Sequence, residues 1–276
     1  MVDRRARRLL LVALLAVGVV ASTAGGVRAD GGPTPRVIVS TGDSITRAFN
    51  VDFCCVLRDS PSRSWSTGTN AAVNSHYQRL LRFAPHVEAA HNVARSGARM
   101  GELAGQLRTA AGLGVDYVTV LMGANDACTS SAATMTPATT FETQFHAAMA
   151  EFTAQRPHAL VFVASIPDLY HLWELFHDDA RAALIWDTFD ICQSLLSTAN
   201  TEAMRQEVVA RVDAFNAALG RVCAEFRRCR WDGGAVSEVQ FGAADVSPVD
   251  FFHPSVQGQH RLADVTWGAS YWPRRG

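Results

Sequence analysis

The sequence predicts an α/β domain of three layers (α/β/α), with helices on both faces of a parallel sheet. Two observations carry that expectation. Short aliphatic, β-branched runs alternate with longer segments of helical spacing, the pattern of strand–helix–strand crossovers. The residues best suited to chemistry also fall directly after such runs, where open α/β sheets gather ligands beyond the carboxyl ends of their strands.

Pro33 to Pro35 is an exposed lead-in. Arg36–Ser40 reads as the first strand, with Val37-Ile38-Val39 apolar and a Gly42 turn after it. Ala71–Phe83 has helical spacing, with Val73, Tyr77, Leu80 and Leu81 on one face. Glu88–Ala94 is a second strand, and Gly101–Ala111 is a short helix with Leu103 and Leu107 one turn apart. Tyr117–Met122 is a strongly apolar strand. Phe141–Gln155 is a helix carrying Phe145, Met149 and Phe152. Ala159–Ile166 is another buried strand, stopped by Pro167. Ala180–Ser197 and Thr201–Arg228 read as long helices, and Ser255–Ser270 as a closing one. No internal repeat or long linker interrupts the series. Val51–Asn70 is polar, carries cysteines and lacks a clear period, which makes it the candidate mobile loop.

The first residues stand apart. Arg4, Arg5, Arg7 and Arg8 precede an aliphatic run from Leu9 to Val20 that is shorter than the about 20 apolar residues of a membrane span. Small residues follow, and Val27-Arg28-Ala29 offers a cleavage site. This is the pattern of a secretory signal peptide over residues 1–29, with cleavage near Ala29 and one domain over 30–276. An uncleaved anchor is the rival, and the length of the run disfavours it. The expected location is therefore extracellular. All 25 basic residues are arginine and the formal net charge is −1. With no basic stripe, nucleic acid is excluded as a partner. The chain is expected to be a monomer. Six cysteines in an exported chain imply three disulfides, among about 15 possible pairings. Cys223 with Cys229 and Cys128 with Cys192 are candidate pairs. They leave adjacent Cys54 and Cys55, whose direct pairing would be strained. No C-x-x-C spacing favours a metal.

The chemistry centres on Gly42-Asp43-Ser44-Ile45, which follows the first apolar run. A serine at a strand end is held on a rigid edge with backbone N–H groups free around it. Its hydroxyl is a weak nucleophile and needs a base. His253 in Asp250-Phe251-Phe252-His253 suits that task, and Asp250 is placed to fold back onto the ring and fix its tautomer. An oxyanion needs preorganised donors. Those available are the backbone N–H of Ser44, the backbone N–H of Gly97, and the side-chain amide of Asn125 in Gly123-Ala124-Asn125-Asp126. Asp43 and Asp126 are expected to bind loop backbone and stiffen the site.

In chain order, Gly42-Asp43-Ser44-Ile45, then Gly97, then Gly123-Ala124-Asn125-Asp126, then Asp250-Phe251-Phe252-His253 resemble the SGNH, or GDSL, hydrolase superfamily. The resemblance implies a flavodoxin-like SGNH fold with Ser44 as nucleophile, His253 as base, Asp250 orienting it, and Ser44, Gly97 and Asn125 forming the oxyanion hole. It implies ester hydrolysis through an acyl-enzyme, with no metal or organic cofactor. Ser64-Trp65-Ser66-Thr67-Gly68, Gly123-Ala124-Asn125-Asp126-Ala127-Cys128 and Ile166-Pro167-Asp168-Leu169 further resemble the phospholipase B-like branch and its secreted bacterial relatives. Members of that branch cleave acyl esters of lipids, which implies transient contact with a lipid surface. Carbohydrate O-deacetylation and acyl transfer are the competing uses of such a site. A silent binding module is disfavoured because it has no chemical need for His253.

Other residues carry blander expectations. His171, Glu174 and His177 lack the spacing of a helical zinc site and read as a solvated or loop-lining face. The histidines at 76, 86, 91, 146, 158 and 260 read as structural or exposed. Trp65, Trp173, Leu175 and Phe176 are candidates for an apolar acyl-binding wall, with the protein core as the equal alternative. Phe251 and Phe252 are expected to pack beneath the loop that carries His253.

Overall fold

The computed structural model of the protein describes residues 33–273. The expected leader, residues 1–29, and its cleavage point lie outside the described residues. Among the described residues, five strands form one sheet: β1 Val37–Gly42, β2 Ala89–Asn92, β3 Tyr117–Leu121, β4 Leu160–Val163 and β5 Cys229–Trp231. Their order is β2-β1-β3-β4-β5, and every neighbouring pair is parallel. Val39 pairs with Val118, and Val118 with Val161, so the β-branched residues stack across the sheet centre.

Nine α-helices connect and cover the strands among the described residues: α1 His76–Phe83, α2 Leu103–Gly112, α3 Ala124–Ala127, α4 Ala138–Gln155, α5 Leu169–Phe176, α6 Ala180–Thr188, α7 Gln193–Leu196, α8 Glu202–Glu225 and α9 Val256–Ala269. On one face α2, α4 and α8 pack side by side, with Phe141 and Phe215 stacked at 4.1 Å. On the other, α1 and α9 enclose His76. Its Nδ1 lies 3.0 Å from the Tyr117 hydroxyl and its Nε2 2.9 Å from Thr266 Oγ1. Trp65, Phe162 and Trp267 surround that ring. Parallel strands covered on both faces are the expected three-layer fold. None of the described helices is long and apolar enough to cross a membrane.

The differences from expectation are local and have physical causes. The first helix starts at His76, because Asn74 turns left-handed (φ 53°) and Ser75 caps the helix in a reciprocal box with Gln78. Leu81, expected on the buried face, is exposed. The helix expected over Ala180–Ser197 breaks between α6 and α7, where Asp190 and Cys192 adopt positive φ and Cys192 is bonded to Cys128. The other disulfides are Cys223–Cys229 and the adjacent pair Cys54–Cys55, so all six cysteines are paired. Strand β5 was not predicted; it is three residues long and only half-buried. The 51–70 stretch divides in two. Ser64–Thr67 is buried, with the Trp65 N–H donating 2.9 Å to Gln259 Oε1, whereas the tip around Phe53–Leu57 faces solvent.

Candidate active site

The site is built at the carboxyl end of β1. Gly42 takes φ 141°, and a Cβ there would lie 2.3 Å from the Leu121 carbonyl oxygen, so the chain turns there only with glycine. Asp43 follows, wholly buried, with Oδ1 accepting the Ile45 N–H at 2.9 Å. Burial pushes its carboxyl up to about 7; the Ile45 hydrogen bond and the nearby His253 offset this in part, and Asp126 adds to it.

Ser44 comes next, nearly buried, and its Oγ lies 2.8 Å from His253 Nε2. On the far side of the ring, His253 Nδ1 lies 2.7 Å from Asp250 Oδ2. The three-residue spacing closes as a tight turn. Asp250 Oδ1 accepts the backbone N–H groups of Phe252 and His253, both at 3.0 Å, and Phe251, directly after Asp250, turns left-handed. Burial would raise the Asp250 carboxyl, but the charge of His253, its hydrogen bonds and that from Asn50 outweigh burial and hold it below the usual carboxylate range. Phe49 and Phe252 pack edge-on against the imidazole at 5.2 and 5.0 Å. Phe251 does lie beneath the loop, against Phe176, and its carbonyl accepts the Trp186 indole N–H at 3.3 Å.

Gly97 and Asn125 sit beyond the neighbouring strands. The Arg95 N–H donates to the Gly42 carbonyl at 3.1 Å, which sets the 95–98 loop against the end of β1. Gly97 has φ 80° and open space where a Cβ would stand. Asn125 occupies the short α3, entered through Gly123 at φ 130°, where a Cβ would strike Ile166. Its Nδ2 donates to the Ala98 carbonyl at 3.0 Å, tying the two loops together. Asp126 stiffens both: Oδ2 accepts the Met100 N–H and Oδ1 accepts Thr136 Oγ1, each at 2.8 Å. Burial raises its carboxyl, and those two hydrogen bonds offset this in part. Chemically, a hydroxyl, an imidazole and a carboxylate in one hydrogen-bonded line let the ring accept the hydroxyl proton while its tautomer stays fixed.

Beside this line runs an apolar cleft of about 540 Å³, counting its open mouth. Ile45 touches it next to Ser44, and Phe252 and Pro254 flank it on either side of His253. Leu169, Leu172 and Leu175 of α5 form the opposite wall. Of the four residues considered for an apolar wall, only Leu175 is there. Trp65 is core, bonded to Thr46. Trp173 lies under the Arg205 guanidinium at 4.4 Å and stacks on His177. Phe176 packs on Phe251. His171 does line the cleft, held by Glu174 and the Phe241 carbonyl. Among the described residues, no group of three or more His, Cys, Asp or Glu is placed to hold a metal. Asn50 and Phe49, unremarked in the sequence, are additions to the site.

Residues 41–261 match the model of the GDSL-like lipase/acylhydrolase family. The chain belongs to that family. It is therefore a carboxylic ester hydrolase of the SGNH (GDSL) superfamily. Solved structures agree on the fold. Phospholipase A1 from Streptomyces albidoflavus is 17% identical, with a TM-score of 0.52, covering 86% of this chain and 100% of that one. An α/β hydrolase from the metagenome of Lake Arreo is 19% identical, TM-score 0.52, covering 87% and 97%. A GDSL-like protein from Parabacteroides merdae is 16% identical, TM-score 0.51, covering 84% and 94%. No curated protein matches the chain.

Proposed function

We propose that this GDSL hydrolase cleaves acyl esters of lipids, with Ser44 as nucleophile, His253 as base and Asp250 as its orienting carboxylate. Ser44 Oγ bonds to the ester carbonyl carbon while its proton passes to His253 Nε2. The oxyanion is met by the backbone N–H groups of Ser44 and Gly97 and the Asn125 amide. The carbon–oxygen bond to the alcohol then breaks, and Nε2 returns the proton to the leaving oxygen. Water attacks the acyl-enzyme, gives its proton to Nε2, and the acid departs as Ser44 is reprotonated.

The observation that favours a lipid chain is the state of the cleft's polar groups. Asp168 caps α5 through the Tyr170 and His171 N–H groups. Asp245 is taken by Arg261, Gln257 and the Gly242 N–H. His171 is held at both nitrogens. Those side chains are already partnered, so the wall offers a substrate hydrocarbon contact and few free hydroxyl partners. The tip beside the site exposes Phe53, Val56 and Leu57 at 69, 48 and 65%, and we assign to it the contact with a lipid surface. Three disulfides suit an oxidising compartment, in line with a cleaved leader and secretion.

The test is the hydrolysis rate of p-nitrophenyl esters from acetate to palmitate, with Ser44→Ala as blank. Rates that hold or rise at medium and long chains are expected. Activity confined to acetate would refute the lipid reading and move the assignment to deacetylation; turnover by Ser44→Ala would refute the nucleophile.

A further inference from the structure

Asn50 is 4% exposed and holds a left-handed backbone conformation at φ 49°. Asparagine tolerates that region better than most residues. Each of its polar groups is engaged. Nδ2 donates to Asp250 Oδ2 at 2.7 Å, and Oδ1 accepts the Leu57 N–H at 2.5 Å. Its N–H donates to the Arg58 carbonyl at 3.2 Å, and its carbonyl accepts the Ser247 hydroxyl. Only one orientation of the amide serves both side-chain partners, since Leu57 brings a donor and the carboxylate an acceptor.

Asp250 Oδ2 is the same oxygen that receives His253 Nδ1–H. With two backbone N–H groups on Oδ1, the carboxylate takes four donors and cannot rotate without losing one. Three of these come from its own turn, and Asn50 alone reaches it across 200 positions of sequence. Asn50 is in turn gripped by the tip loop, where the Cys54–Cys55 bridge, Cys55 N–H to Asp52 carbonyl at 2.8 Å and Arg58 N–H to Cys55 carbonyl at 3.2 Å fix the approach of Leu57.

We propose that Asn50 is a positioning residue for the reaction, acting on the nucleophile through Asp250 and His253. The inference rests on the reading of those residues as base and orienting group. The Asn50 amide keeps Oδ2 aimed at Nδ1, which leaves the Nε2 lone pair pointing at Ser44. The same amide joins the loop after the nucleophile to the loop that carries the base, so the two halves of the site are held in register.

Asn50→Gly keeps the positive φ and removes the amide. In the full chain, its kcat on a short p-nitrophenyl ester should fall about 10-fold, with KM within twofold. In an Asp250→Ala background the same substitution should cost nothing further, because its effect passes through the missing carboxylate. An Asn50→Gly chain within twofold of wild-type kcat would overturn the inference, as would an equal loss with and without Asp250. Asp250→Ala at wild-type kcat would instead strike the orienting role of Asp250 itself, and the inference with it.

Discussion

Replacing His76 with glutamine should flatten the acid side of the stability curve. His76 is wholly buried between the Tyr117 and Thr266 hydroxyls. Burial, helped by the Arg79 cation, pushes it down from 6.5 to about 3. Below pH 6.5 the unfolded chain therefore binds a proton that the folded chain refuses, so stability falls as pH falls. Each pH unit costs about 1.4 kcal/mol, which reaches about 3 kcal/mol between pH 8 and pH 4.5. Asp43, raised to about 7, works in the opposite sense: above pH 3.8 the folded chain keeps a proton that the unfolded chain loses. That contribution is common to both chains and cancels in the difference. His76→Gln retains a donor and an acceptor without a titrating ring. Thermal unfolding followed from pH 8 to pH 4.5 should show the wild type losing about 6–12 °C more than the variant. Two superimposable Tm–pH curves would refute a neutral buried imidazole.

Three further outcomes follow from the site and its supports. Asn125→Ala should lower kcat by about 10²–10³ through the lost oxyanion donor, and a change within twofold would remove Asn125 from that role. Leu172→Trp should fill the cleft and abolish turnover of long-chain esters while the acetate rate persists; equal loss at every chain length would place the acyl chain elsewhere. Cys128→Ser with Cys192→Ser opens a loop of sequence separation 64, at a cost of about 4 kcal/mol in the chain-entropy model. Calorimetry should find Tm lowered by about 10 °C, and an unchanged Tm would leave that bridge without a stabilising role.

Much of this was readable in the chain because strand ends constrain residue type. Gly42, Gly97 and Gly123 all hold positive φ, and the chemistry-bearing residues sit beside them. The parallel order of β1, β2 and β3 brings the segments around Ser44, Gly97 and Asn125 to one sheet edge, and the loop before α9 brings Asp250 and His253 into line with Ser44. What escaped had no local pattern to show. Strand β5 is too short and too exposed for a periodic signal, and the helical spacing read over Thr201–Arg228 ends directly before it. The break before α7 depends on left-handed residues beside a bridge from another loop. Asn50 is one amide in an irregular segment, and its meaning lies in a contact 200 residues away. The cleft draws on segments near 45, 167–175 and 241–254, so a stretch of apolar sequence could not mark it; Trp65 and Trp173 looked suitable but are spoken for by Thr46 and Arg205.

The hydrogen bond between Ser44 and His253 joins positions 209 apart. A ribosome adding about 5–20 residues per second needs about 10–40 s to travel that distance. On the proposed roles, the serine leaves the ribosome long before its base, so turnover waits for the loop before α9 and for α9 itself. A chain cut short before position 253 is then expected to show no esterase activity.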